Sequence, residues 1–355
     1  MTVTLRNLAV APGRFTRSQE DLSADFRAEI HALEKSDNLA ATAGFVFGRS
    51  GIDQRHFELD PRELSGRSDW ILAVNDATYS MAHRALRAAF HQDGELSPGD
   101  VDALIVASST YTGFPSQGRR LQDGLDFPQE ALVYDLTGLG CAAPTHAWHL
   151  ADMLLTTGRA RRVCVVCADA MGTHSVLRHH RVLPTLSQLV AHCLASDGGA
   201  AMILERGDAG SGLLHYETAA LRARLWRGSL GENDLTADAD NQPFMAVGKN
   251  IRTRLSEVED AFDDDRWANE PLFMHPGGAA LMEIIRERHP SLASAVALSS
   301  AMLADNGNVG APSALWVLHQ AFAQKAAMTP RMRLFALGPG IVTTVLTLDG
   351  VTKTE

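Results

Sequence analysis

An α/β protein, with a parallel or mixed sheet between helical layers, is the fold class this sequence predicts. Three observations carry it. Strand-like and helix-like stretches alternate in βαβα order through most of the chain. Residues 101–107 are almost wholly apolar, as a strand covered on both faces must be. And 355 residues exceed what one small core organises, which calls for two domains or one large α/β unit. The first 65 residues carry the weakest pattern. The strand at 101–107 runs into a Ser/Thr/Gly turn, 117–125 follows a helical pattern, and 131–135 is again a strand. Residues 145–157 place Ala147, Leu150, Ala151 and Leu154 on one helical face. Residues 162–168 form the next strand, and Ser196-Asp-Gly-Gly-Ala-Ala201 reads as a turn feeding a strand. In the second half, 212–216 is a weak strand and 247–262 an amphipathic helix. A short strand at 271–275 ends on His275, with helix at 278–287 and a longer helix at 310–326. Strands at 334–337 and 341–348 close the chain, and the acidic, strand-poor stretch 228–242 reads as an exposed excursion.

Composition removes several function classes. With 45% hydrophobic and 21% charged residues the chain is an ordinary soluble globular protein, not a disordered one. Its longest apolar runs, such as 163–168, are strand-sized, and the start Met-Thr-Val-Thr-Leu-Arg lacks the features of a signal peptide. The expected location is the cytoplasm. A net charge of −10 argues against nucleic acid, whose phosphates need clustered Lys and Arg, yet allows a small anionic substrate. Four cysteines make no disulfide framework. Cys164 and Cys167 form a CxxC inside a strand-like run with no second Cys or His pair at zinc spacing, so no metal site is expected. Cys193 reads as a buried thiol.

Three residues on glycine-marked turns could share one chemistry. Cys141 lies in Asp135-Leu-Thr-Gly-Leu-Gly-Cys-Ala-Ala-Pro144, just before a helix. Unpaired N–H groups and the dipole at a helix start favour a thiolate there, and an adjacent imidazolium would favour it further. The plainer reading is a buried structural cysteine. His275 ends a strand in His-Pro-Gly-Gly, which leaves its imidazole at the strand's C-terminal edge, where open α/β sheets bind ligands. A structural histidine is the alternative. Asn308, in Gly307-Asn-Val-Gly-Ala-Pro-Ser313, could equally be helix-capping chemistry, and Asn306 competes for any role.

Taken together, the ordered segments Gly140-Cys141-Ala-Ala, Val163-Cys-Val-Val-Cys-Ala-Asp169, Ser196-Asp-Gly-Gly-Ala-Ala201, His275-Pro-Gly-Gly278, Gly307-Asn308-Val-Gly-Ala-Pro-Ser313 and Leu337-Gly-Pro-Gly340 resemble the type III polyketide synthases. This is the chalcone synthase-like family of the thiolase fold. The resemblance covers roughly residue 45 to the C-terminus. It implies a five-layered αβαβα fold with pseudo-duplicated halves, 1–208 carrying the nucleophilic Cys and 209–355 carrying His and Asn, and a homodimer. It maps the catalytic roles onto Cys141, His275 and Asn308. The substrate- or coenzyme A-binding set it implies is Arg55, Phe114, Val176, Ala237, Gly278, Ala280, Gly338, Pro339 and Gly340. Within that set Arg55 falls near the basic contacts to coenzyme A phosphates, and Phe114 near a side chain that crosses to the partner subunit. Val176 and Ala237 stand near the gating aromatics of plant members, where small residues imply a wider pocket. Pro144 departs from the family's usual Gly.

The activity so implied loads an acyl starter from acyl-CoA on Cys141 and extends it by decarboxylative Claisen condensation with malonyl-CoA. No metal or redox cofactor is required. An acyl carrier protein is an alternative donor, because Arg55 is the one basic coenzyme A contact that can be placed. Two rival readings are a non-condensing acyltransferase making an ester, amide or thioester on the same scaffold, and a non-catalytic partner subunit of a synthase dimer. The intact Cys, His and Asn count against the latter.

Overall fold

The computed structural model describes residues 1–32, 37–64, 68–92, 94–179, 186–207, 212–229, 233–237, 243–247, 267, 270–326 and 328–353. The chain opens with β1 (Val3–Pro12), β2 (Phe15–Ser18), α1 (Gln19–Ala32), α2 (Asp37–Gly48), β3 (Gln54–Phe57) and α3 (Trp70–His91). Alternation follows through β4 (Ala103–Ser108), α4 (Gln117–Gly124), β5 (Leu132–Thr137), α5 (Ala143–Thr156), β6 (Arg162–Ala170), α6 (Met171–His179), α7 (Leu186–Leu194) and β7 (Asp197–Arg206). Next come β8 (Leu214–Tyr216), β9 (Thr218–Leu225), β10 (Asn233–Ala237) and β11 (Pro243–Val247). The last part is β12 (Leu272–Met274), α8 (Ala279–Arg288), α9 (Ala293–Asn306), α10 (Ser313–Ala323), β13 (Arg331–Gly338), β14 (Val342–Asp349) and β15 (Thr352–Lys353).

Two mixed sheets organise these elements, one ordered β15-β8-β1-β7-β6-β4-β5 and the other β12-β13-β14-β9. Side-chain alternation along each strand sorts residues into layers, because successive positions face opposite sides of a sheet. On β6, Val163, Val165 and Cys167 join a core shared with α5, α10, β13 and β14. Cys164, Val166 and Ala168 face the opposite way, towards α3. On β13, Met332 and Leu334 face the shared core while Phe335 and Leu337 pack with α8 and α9. Helix α5 and helix α10 therefore lie between the two sheets, with helices outside each, giving an αβαβα sandwich. Cys164 and Cys167 belong to different faces of the first sheet, so this CxxC cannot chelate one ion.

Several expectations change in detail. Gly198 and Gly199 belong to β7, not to a turn ahead of it. A Cβ at Gly199 would come 2.9 Å from the Met81 carbonyl oxygen, and one at Gly198 would come 2.9 Å from the Trp316 ring. The glycines are there because helices press on both faces of the strand. The helix expected from 310 starts only at Ser313, after Gly310 at φ +74° and Pro312. The strand-poor excursion 228–242 contains β10, which pairs with β11 as an antiparallel hairpin. Val247 of the helix expected at 247–262 ends β11, and 248–262 lie outside the described residues.

Candidate active site

Strand β5 delivers the chain to a turn in which Gly138 (φ +74°) and Gly140 (φ +51°) take backbone conformations open to glycine. Cys141 sits in a single 3₁₀ turn, Gly140–Ala142, and α5 begins one residue later with Pro144 in its first turn. Cys141 is the partly exposed cysteine; Cys164, Cys167 and Cys193 are buried. The Gly-Pro-Gly segment after β13 lies directly on this turn. A Cβ at Gly140 would come 2.4 Å from Pro339 Cδ, and one at Gly338 would come 2.8 Å from Ala142 Cβ. Two glycines are what this close approach requires. Burial pushes the Cys141 thiol up to about 12 and the Asp169 carboxylate adds to that push, against its own backbone N–H.

His275 follows β12, and its backbone N–H donates to Phe335 O at 2.8 Å, continuing the parallel pairing of β12 with β13. Phe335 stands three residues before Gly338, so the imidazole and the Cys141 turn are both built on the C-terminal end of β13. Gly277 (φ +56°) and Gly278 (φ +144°) turn the chain into α8. The ring is buried, 2% exposed, and burial pushes its pKa down to about 4. Its Nδ1 has no hydrogen-bond partner among the described residues. Burial therefore pushes both groups towards their neutral forms, opposing the helix-start effect that favours a thiolate.

Asn308 is separated from Asn306 by its hydrogen bonds. The Asn306 amide is engaged at both ends, its Oδ1 with His56 Nε2 at 3.1 Å and its Nδ2 with Met302 O at 3.0 Å. Asn308 Oδ1 accepts from the Gly310 N–H at 2.9 Å and from Ser313 Oγ at 3.3 Å. A backbone N–H can only donate, which fixes the oxygen end of the carboxamide and leaves Nδ2 as a donor with no partner among the described residues. The His and Asn turns meet at Leu194. Its carbonyl accepts the Asn308 N–H at 2.9 Å, and its side chain lies 3.4 Å from where a Gly278 Cβ would sit.

The remaining expected site residues fall in different places. Gly338 and Pro339 stand against the Cys141 turn as described, and Gly340 O accepts from Ser229 Oγ at 2.6 Å. Gly278 is buried in the His turn and Ala280 is exposed in the first turn of α8. Phe114 is fully exposed, before a cis bond to Pro115. Val176 packs into the core beside α3, and Ala237 ends β10. Arg55 does not fit a phosphate contact. It is 0% exposed, its Nη1 donates to the carbonyls of His192 and Ala195 (2.9 Å), and its guanidinium lies over the Phe47 and Phe57 rings. An arginine sealed inside the fold cannot meet a solvated ligand. Asp169 and Leu194 escaped the sequence reading, since neither stands in a turn that marks it.

With this geometry in place, comparisons with known proteins fix the family. The chain is 29% identical over 205 residues to a beta-ketoacyl-[acyl-carrier-protein] synthase III of Jannaschia sp., covering 58% of this chain and 53% of that one. It is 28% identical over 159 residues to 3-ketoacyl-CoA synthase 19 of Arabidopsis thaliana, covering 44% and 33%. The chain thus spans about half or less of the length of these curated relatives. PKS-I of the brown alga Ectocarpus siliculosus superposes with a TM-score of 0.83 over 98% of both chains at 18% identity, which establishes the thiolase-like fold of type III polyketide synthases. The family model for FAE1/type III polyketide synthase-like proteins matches residues 25–224, more than half the chain and spanning Cys141, and the chain belongs to that family.

Proposed function

We propose that this protein is a condensing enzyme that loads an acyl starter on Cys141 and extends it by decarboxylative Claisen condensation with a malonyl thioester, acting as a homodimer. The observation that carries this reading is the Asn308 carboxamide, held by Gly310 and Ser313 so that Nδ2 alone is left to donate. In loading, the neutral His275 imidazole takes the Cys141 proton as sulfur attacks the thioester carbonyl, and returns it to the departing thiolate. In extension, the malonyl carboxylate leaves as carbon dioxide and its electron pair becomes an enolate. An imidazole N–H and Asn308 Nδ2 donate to the enolate oxygen, each worth on the order of 3 kcal/mol. The enolate carbon then attacks the acyl-Cys carbonyl, and the Cys141 thiolate departs and takes a proton from solvent, the one proton that loss of carbon dioxide from a carboxylate consumes. A neutral His275 suits this role, because it keeps an N–H to donate without trapping the enolate as a proton source.

The burial of Arg55 removes the one basic coenzyme A contact expected, so the donor is proposed as a coenzyme A or a carrier-protein thioester. The Jannaschia relative is named for a carrier-protein substrate. Incubation with labelled acyl-CoA tests the nucleophile: Cys141→Ala abolishes covalent labelling, and labelling at an unchanged level removes Cys141 from the role. Asn308→Ala lowers malonyl-CoA decarboxylation on the order of a hundredfold while loading survives. Loss of loading with decarboxylation intact refutes that division.

A further inference from the structure

Asp169, in β6, is a wholly buried carboxylate that the proposed chemistry does not use. Its Oδ1 accepts from Ser108 Oγ (3.1 Å), Ser109 N (2.7 Å), Thr110 N (3.1 Å) and Thr110 Oγ1 (3.3 Å). Its Oδ2 accepts from Ala311 N at 2.8 Å. All these donors are neutral, and they come from two segments, the turn after β4 and the turn carrying Asn308. The carboxylate lies so close to the second turn that a Cβ at Gly310 would stand 2.6 Å from Oδ2. Successive amides of that turn therefore have fixed targets, Gly310 N–H on Asn308 Oδ1 and Ala311 N–H on Asp169 Oδ2. Releasing the second frees the peptide that orients the first.

We propose that Asp169 is a positioning residue that sets the Asn308 carboxamide by anchoring Ala311 to the turn after β4. The proposal rests on the roles given above to Cys141 and Asn308. Burial raises the pKa of this carboxyl group, while hydrogen bonds from Ala311, Ser109, Ser108 and Thr110 lower it. Cys141 and Cys167 are the described thiols whose pKa values it pushes upward.

Two substitutions separate charge from position. Asp169→Asn keeps the shape, removes the charge, and offers an N–H where one of the two turns needs an acceptor. Asp169→Glu keeps the charge on one more methylene, for which Gly310 leaves no room. Both variants are expected to load acyl-CoA on Cys141 within about threefold of wild type and to lose malonyl-CoA decarboxylation on the order of tenfold or more. Thermal melts show which variants fold; if Asp169→Asn does not, Asp169→Glu decides alone. Unchanged decarboxylation in folded Asp169→Glu overturns the proposal, as do loading and decarboxylation falling in step. A wild-type chain that takes no label at Cys141 overturns the nucleophile assignment first, and this proposal falls with it.

Discussion

A histidine held neutral by burial makes stability depend on pH, and His275 is that group here. Its folded pKa, about 4, lies below the 6.5 of an exposed imidazole. The unfolded chain therefore binds a proton that the folded chain refuses as pH falls below 6.5. The stability this represents is present above pH 6.5 and is lost progressively towards pH 4, by up to about 3 kcal/mol. Cys141 acts at the other end: its raised pKa means stability is lost as pH climbs from 9.0 towards about 12. Urea melts of wild type and His275→Gln check the acid limb. The variant should lose less stability between pH 7 and pH 4.5, and equal losses would show that other groups set it. The same burial explains what the sequence hid at this scale. Glycine turns mark Cys141, His275 and Asn308 in the sequence, because a sharp turn needs residues tolerant of positive φ. Nothing local marks Arg55 as sealed, since its burial is set by Phe47, Phe57 and distant carbonyls. Nor does spacing choose Asn308 over Asn306; His56, 250 residues before Asn306, occupies the competitor.

At the scale of elements, close packing across β7 and the Cys141 turn is the feature most open to test. Gly199 faces the Met81 carbonyl of α3, a backbone atom that cannot swing aside, while Trp316 Nε1 donates to Gly199 O at 2.9 Å. Gly199→Ala should cost about 1–3 kcal/mol through overpacking and lower the melting temperature by several degrees. A melting temperature equal to wild type would mean that α3 yields. Gly140→Ala meets Pro339 at 2.4 Å and adds positive-φ strain, so it should also reduce loading at Cys141. These contacts account for which elements could be read. Strands β4 and β6 and helix α5 are legible because apolar runs and a single helical face are local patterns. The two glycines of β7 imitate a turn, since their purpose lies in α3 and α10. Strand β1 lies inside the first sheet yet carries Arg6 and Asn7, whose partners Glu205 and Ala89 O are remote in sequence.

For the whole molecule the outstanding question is what covers the β5 end of the first sheet. The strand order stops at β5, whose outer ladder has no partner strand among the described residues. Leu132 on this strand is 42% exposed, and Phe114 on the loop before α4 is 100% exposed. An open apolar edge invites pairing with another chain, and a large aromatic held wholly in water is costly to leave uncovered. A second copy of the chain meeting this end would bury both, which is the homodimer proposed above. Because Phe114 is fully exposed, removing its ring should leave the fold of one protomer intact. Burying one such ring per subunit is worth roughly 2–3 kcal/mol. Phe114→Ser should therefore weaken a two-fold dimer by about 4–6 kcal/mol, on the order of a thousandfold or more in Kd. Sedimentation at micromolar concentration should show wild type as a dimer and Phe114→Ser shifted towards monomer, with an unchanged far-ultraviolet circular dichroism spectrum. A wild type that sediments as a monomer removes the homodimer. A Phe114→Ser dimer as tight as wild type places the interface elsewhere, because Phe114 is the most exposed large apolar side chain among the described residues.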